Sequence, residues 1–165
     1  MMISECFTGQ EYLIITGRFQ PLHILHLDTS RKILQGNKYH LIVCVLKNNT
    51  TQISKKRSQY AIESRKIQNK ENNPLPVWKR VMLLNLAIAN HDILKSRVTV
   101  LARERPDIDW FKSIEDLPEN RIWVFNIGNG EFDKTKVEFY KNKNEKMLIV
   151  DFPSPLSGTQ IRERL

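Results

Sequence analysis

The chain has 165 residues, 41% hydrophobic and 27% charged, which suits one domain with a real core and leaves little room for two. Two cysteines, Cys6 and Cys44, are too few for a disulfide scaffold and point to a reducing cytoplasm, and the strand-length apolar runs argue against a membrane span. The formal net charge of +8 favours anionic partners, whether nucleic acid, a membrane surface or a polyphosphate, without choosing among them.

Residues 1–11 lack a basic stretch followed by a long apolar one, so they are expected to form a short extension rather than a signal peptide. Residues 12–16 (YLIIT) are apolar and β-branched, and predict a buried strand ending at Gly17. A turn carrying Pro21 leads into a helix over 23–34, which Gly36 and Asn37 should end. Residues 39–46 (YHLIVCVL) predict a second buried strand, with Cys44 as a core thiol. A strand, helix and strand in this length make a parallel βαβ unit.

Residues 48–73 form a polar, basic insertion with a short helix expected around 60–67. From Lys47 to Asn73 there are seven basic residues (Lys47, Lys55, Lys56, Arg57, Arg65, Lys66, Lys70) and two acidic ones (Glu63, Glu71), so this stretch supplies most of the excess charge. Pro74 and Pro76 then mark the start of an amphipathic helix over 77–90, with Val77, Val81, Leu84 and Ile88 on one stripe. Residues 97–102 predict a third strand and 107–114 a short helix or helical turn. Residues 121–127 predict a fourth strand, closed by Gly128-Asn129-Gly130. A helix near 134–140, a fifth strand over 147–151 and a closing helix over 158–165, capped by Ser157, complete the chain. The alternation predicts an α/β fold with a doubly wound parallel sheet of about five strands over residues 12–165. In such sheets ligands bind beyond the carboxyl ends of the strands.

The segment following the first strand reads Gly17-Arg18-Phe19-Gln20-Pro21-Leu22-His23-Ile24-Leu25-His26. A strand entering a helix here points free backbone N–H groups at the cleft, and the helix dipole favours an anion there. His23 and His26, three apart, share a face in a first helical turn. Arg18 adds a planar, permanently charged fork suited to phosphate. Ordinary surface or core histidines are the alternative; a shared metal is another, although no third ligand of obvious spacing lies nearby. At the other end of the chain, residues 156–162 (LSGTQIR) read as a capped helix start. Ser157 and Thr159 contribute hydroxyls and Arg162 lies one turn in; such donors can hold a phosphate, or can be a plain cap beside a solvated arginine.

The run GRFQPLHxxH resembles the first signature of the nucleotidylyltransferase superfamily, which carries H-x-G-H at the start of its first helix. The Gly-Arg-Phe-Gln-Pro lead-in is similar to the archaeal type of nicotinamide-mononucleotide adenylyltransferase. Residues 156–162 match, position by position, the superfamily's second motif, [IL]-S-[SG]-T-x-[IV]-R. The resemblance implies a Rossmann-like fold and a triphosphate held by both segments. It assigns His23, His26 and Arg162 as catalytic, and Gly17, Arg18, Phe19, Gln20, Gly128, Asn129, Ser157 and Thr159 with them as ATP-binding.

Softer correspondences extend it. Asn73-Pro74 with Arg80 resembles the family's N-P-F-T-x-x-E-R stretch, with Leu75, Pro76 and Lys79 departing from it; a solvent-facing helix arginine is the alternative. Pro106-Asp107-Ile108 resembles a P-D-I segment. Trp110 is a candidate stacker on a nicotinamide ring or, equally, a core anchor. Arg80, Asp107 and Trp110 are thus the expected acceptor-binding residues. One departure falls in the first motif: Leu25 stands where the family has glycine, which lets a ligand approach the backbone closely.

By this resemblance the expected reaction is in-line transfer of AMP from ATP, accompanied by Mg2+, to a phosphate-bearing acceptor such as nicotinamide mononucleotide, with loss of pyrophosphate. Cytidylyl transfer, or a nucleotide sensor impaired by Leu25, are the alternatives. Small molecules are the expected partners. Nucleic acid is not expected, because only Tyr60 offers an aromatic ring within the basic insertion. Homo-oligomers occur among such relatives.

Overall fold

Five runs rich in β-branched and large apolar residues form the strands of one parallel sheet. The computed structural model describes residues 11–19, 24–47, 75–126 and 131–151. In chain order the elements are β1 (Tyr12–Gly17), α1 (Ile24–Leu34), β2 (His40–Leu46), α2 (Val77–Ala89), β3 (Val98–Arg103), α3 (Trp110–Ile114), β4 (Arg121–Asn126), α4 (Glu131–Asn142) and β5 (Met147–Val150). The strand order is β3-β2-β1-β4-β5, so the doubly wound α/β architecture expected from the sequence is what the chain adopts. β1 is the middle strand. The order reverses between β1 and β4, and the carboxyl ends of that pair are where such sheets open a crevice.

The period-two alternation of side chains sends the strands' residues into two cores. Leu13, Leu41, Val43, Val45 and Val124 face Ile33 and Leu34 of α1, Leu84 and Ile88 of α2, and Leu94. Tyr12, Ile14, Ile42, Cys44, Trp123 and Phe125 face the other way, with Leu117 and Tyr140 buried against them. α1 and α2 therefore cover one face of the sheet, and α3 and α4 the other.

Local chemistry sets the boundaries. α1 stops where Gly36 takes φ 77°, a left-handed turn that glycine adopts without a Cβ penalty. Asn37 donates back to the Ile33 carbonyl at 2.8 Å. Arg97 was expected inside β3 but lies just before it. Its backbone carbonyl still accepts from Leu41, while its guanidinium reaches the carbonyls of Leu34 and Tyr39 and the Asn37 side chain. It thus ties the end of α1 to the start of the sheet. α3 begins three residues later than the expected 107, because Asp109 caps it, accepting from the Lys112 amide at 3.1 Å. α4 is longer than expected: its ends are polar, and the short apolar pattern around Val137 and Tyr140 marks only its middle. The helix expected around 60–67 and the closing helix over 158–165 lie outside the described residues.

Candidate functional site

The carboxyl edge of the sheet gathers buried polar groups, Arg80, Glu104, Arg105 and Asp107 among them. β1 delivers Thr16, Gly17, Arg18 and Phe19 to it, β2 ends at Leu46, and β3 ends at Arg103.

The turn leaving β1 is anchored from below. Phe19 has φ 52°, an unusual left-handed conformation for a bulky residue. Its ring is buried in the first core, against the same small cavity that Ile15, Ser30, Val43 and Leu84 line. That ring also explains Gly17. A Cβ there would meet Phe19 Cε2 at 3.0 Å and Cζ at 3.1 Å, a tight contact that would require the ring to shift by a few tenths of an ångström. Phe19 therefore holds the turn from the core side with its ring, and only its backbone is left to face a ligand. His26 is the third residue of α1, inside its first turn, and Leu25 is the second. Gln20, His23, Gly128, Asn129, Ser157, Thr159 and Arg162 lie outside the described residues.

Arg80 is the main finding at this edge. The sequence left open a solvent-facing arginine, but its side chain is 1% exposed. It sits on α2 between the stripe residues Val77 and Leu84, so helical spacing carries it inward. Its Nη1 donates to the Arg18 carbonyl at 2.6 Å and to the Leu46 carbonyl at 2.8 Å, and its Nε donates to Leu75 at 3.1 Å. One guanidinium thus joins the exits of β1 and β2 to the approach to α2. Burial pulls its pKa down to about 10, which leaves it charged at neutral pH. Its Nη2 has no hydrogen-bond partner among the described residues, and neither do the buried Thr16 Oγ1 and Arg103 Nε at the same edge. Buried polar groups ordinarily find a partner in protein or water.

Asp107, expected to bind the acceptor, is engaged from within the protein. Arg105 Nη2 and Nε donate to its two carboxylate oxygens at 2.6 and 3.2 Å, in a pair whose side chains are each 4% exposed. Burial raises the Asp107 pKa, and the charge of Arg105 opposes the rise. Glu104, also buried, accepts from the Arg105 amide at 3.2 Å. The sequence expected strand 97–102 to be followed by a short helix over 107–114. It did not single out Arg103, Glu104 or Arg105; the signal available was four charged residues within five positions directly after an apolar strand.

Trp110 is placed elsewhere. Its ring lies 6.1 Å from Trp123, 6.0 Å from Phe139 and 5.5 Å from Tyr140, with the Lys143 ammonium 5.6 Å from its centre. These partners belong to the second core, whereas Arg80 projects from α2 on the first face. The structure therefore brings Gly17, Arg18 and Arg80 together and does not bring Trp110 to them. In this position the ring anchors α3 to α4 and β4.

Cys44 provides no nucleophile. It is 1% exposed, and burial pushes its thiol up to about 12, so it stays protonated. Among the described residues no group of three or more His, Cys, Asp or Glu side chains could hold a metal ion, and no helix is long and apolar enough to cross a membrane.

No protein-family model matches the chain, and no curated protein matches it. Solved structures do. A bifunctional NMN adenylyltransferase/ADP ribose pyrophosphatase from Francisella tularensis, complexed with AMP and a manganese ion, superposes with a TM-score of 0.59 at 16% identity, over 94% of this chain. This chain spans 41% of the length of that protein. A lipopolysaccharide core biosynthesis protein from Thermoplasma volcanium GSS1 superposes with a TM-score of 0.51 at 18% identity, over 88% of this chain and 98% of its own. The likeness is one of fold: an α/β, Rossmann-like parallel sheet flanked by helices.

Proposed function

We propose that the protein is a nucleotidylyltransferase that moves AMP from ATP to a small phosphate-bearing acceptor, nicotinamide mononucleotide being the first to test. The observation that carries the reading is the run from Gly17 to His26. It leaves the carboxyl end of the central strand, beside the switch between β1 and β4, and enters α1 with His26 in the first turn. The C-terminal run with Ser157, Thr159 and Arg162 supports it from the sequence. The likeness in fold to part of a bifunctional NMN adenylyltransferase/ADP ribose pyrophosphatase, a protein complexed with AMP, agrees with it.

In this reading an acceptor phosphate oxygen attacks the α-phosphorus of ATP, a new P–O bond forms, and the bond to the β-phosphate breaks with pyrophosphate leaving. His23 and His26 donate to the α- and β-phosphate oxygens, and Arg162 with Arg18 holds the terminal phosphates. Gln20, Gly128, Asn129, Ser157 and Thr159 complete the ATP site. The buried charge of Arg80, with Nη2 uncommitted among the described residues, suits an acceptor phosphate. Asp107 would contribute through the Arg105 pair that holds it. Catalysis is then positioning plus stabilisation of charge, with no covalent intermediate. A divalent ion, magnesium in the first instance, enters with the triphosphate as part of the substrate.

The purified chain given ATP, magnesium and nicotinamide mononucleotide is expected to release pyrophosphate and form NAD, with His26→Ala slowing turnover about 100- to 1000-fold. CTP run in parallel tests the cytidylyl alternative. ATP binding by calorimetry, without turnover on any phosphate-bearing acceptor, would replace the enzyme with a nucleotide sensor. Absence of nucleotide binding would remove both readings.

A further inference from the structure

Near the carboxyl edge, β1 and β3 each turn a polar side chain to the second face of the sheet. Thr16 alternates with Tyr12 and Ile14 on β1, and Arg103 follows Leu101 by two on β3; Tyr12, Ile14 and Leu101 all pack in the second core. The register sets Thr16 opposite Cys44 of β2, Cys44 opposite Leu101, and Arg103 opposite Leu46, two residues nearer the edge. The charge of Arg103 is felt at the Cys44 thiol, where it opposes the rise that burial causes. Thr16 and Arg103 therefore flank the same stretch of β2. Thr16 Oγ1 and Arg103 Nε are both buried, and neither has a hydrogen-bond partner among the described residues. The two carboxylates that follow Arg103 are turned elsewhere, Glu104 to the Arg105 amide and Asp107 to the Arg105 guanidinium. Arg80 reaches the Leu46 carbonyl from α2, so Arg80 and Arg103 meet the exit of β2 from the two faces of the sheet.

We propose that Arg103 and Thr16 hold a carboxylate of the acceptor, apart from the phosphate that Arg80 takes. The proposal rests on the nucleotidylyltransferase reading above and narrows its substrate. A guanidinium only donates, and a threonine hydroxyl rotates to donate, so the pair offers two donors to the two oxygens of a carboxylate. A hydrogen bond between ionised partners is about twice as strong as one between neutral groups. A carboxamide in the same place offers a neutral carbonyl instead, and its N–H groups find no acceptor on Arg103. The balance of charge points the same way. Among the described residues, Arg18, Arg80, Arg103 and Arg105 stand at the exits of β1, β2 and β3 or on α2 beside them, against Glu104 and Asp107. An acceptor with two anionic groups answers that excess of cations better than one with a phosphate alone. Neither Arg103 nor Thr16 falls in a segment that resembles the superfamily's motifs, so the preference belongs to this chain's own residues.

Nicotinic acid mononucleotide and nicotinamide mononucleotide differ only in carboxylate against carboxamide, and calorimetry with the two reads the pocket directly. The wild type should bind the acid about tenfold more tightly than the amide. Arg103→Met should bring the two to equal affinity with ATP binding unchanged. Arg103→Lys should keep part of the preference, and Thr16→Val should reduce it. The thermal midpoint of Arg103→Met should not fall, because no bond within the protein is lost, whereas removing a structural arginine would lower it. Equal binding of acid and amide by the wild type, or a preference that survives Arg103→Met, would overturn the proposal. So would a wild type that binds ATP but neither mononucleotide, and that result would leave the nucleotide site standing. Arg103-dependent binding of the acid without any binding of ATP would keep the pocket and remove the transferase reading instead.

Discussion

Replacing Arg80 with methionine removes a guanidinium while keeping a long apolar side chain on the same stripe of α2. Three backbone carbonyls, those of Arg18, Leu46 and Leu75, lose their donor. Hydrogen bonds to a charged group contribute about 1.5–3 kcal/mol each. Removing the cation also relieves the cost of burying it, which offsets part of that sum. The net loss expected, three such bonds less that relief, is about 3–5 kcal/mol. For a chain of this size that corresponds to a fall in Tm of about 6–20 °C. The effect should be local before it is global. The Lys47 amide, which donates to the Arg103 carbonyl at 3.0 Å just past the end of β2, should exchange faster in the variant than amides in the middle of β2. Thermal unfolding followed by circular dichroism gives the first number and hydrogen exchange the second. Arg80→Lys keeps a charge but fewer donors, and should fall between the two. If Arg80→Met unfolds within about 1 kcal/mol of the wild type, the bridge between the two strand exits contributes nothing and the reasoning fails.

Three further outcomes follow from named contacts. Gly17→Ala should destabilise by about 1–3 kcal/mol through overpacking against the Phe19 ring, with part recovered by adding Phe19→Leu; denaturant midpoints at constant m check this. Burial, with a smaller contribution from Arg97, holds the His40 pKa below its ordinary 6.5, while its ring nitrogen lies 2.7 Å from the Thr99 hydroxyl. A depressed histidine resists protonation when folded, so stability should fall as the pH drops below about 6.5, and stop falling on this account once the folded pKa is passed. His40→Gln should flatten that slope in urea titrations across pH 4–7, whereas an unchanged slope would assign it to other groups. Leu25→Gly restores room for close approach to the backbone at the second position of α1 and should raise the rate of nucleotidyl transfer, read as pyrophosphate release; an unchanged rate would show that Leu25 does not hinder the nucleotide.

Periodicity carried most of the architecture. Strands such as YHLIVCVL are buried on both faces, so they read as continuous apolar runs. Their alternation with helical segments leaves a doubly wound parallel sheet as the economical solution. The run from Gly17 to His26 could be placed at a strand exit for the same reason. Element ends were legible only to within a residue or so, because side chains elsewhere decide them: Arg97 is drawn to the end of α1, and Asp109 delays α3 by capping it.

What the sequence could not weigh was competition for each polar group. Asp107 is a ligand candidate in one dimension, and in three it is already bonded to Arg105; Arg80 is bonded to strand-exit carbonyls through Nη1 and Nε, with Nη2 uncommitted among the described residues. Trp110 follows a suggestive segment, but a ring of that size goes where other rings can bury it, and Trp123 and Tyr140 are too far away in the chain for spacing to announce them. The order of residues by itself determined that the run beginning at Gly17 leaves the carboxyl end of a strand. Only the tertiary structure decided which polar groups are engaged there, because hydrogen-bond partners and burial come from residues tens of positions apart, brought together by the packing of α2 on β1 and β2.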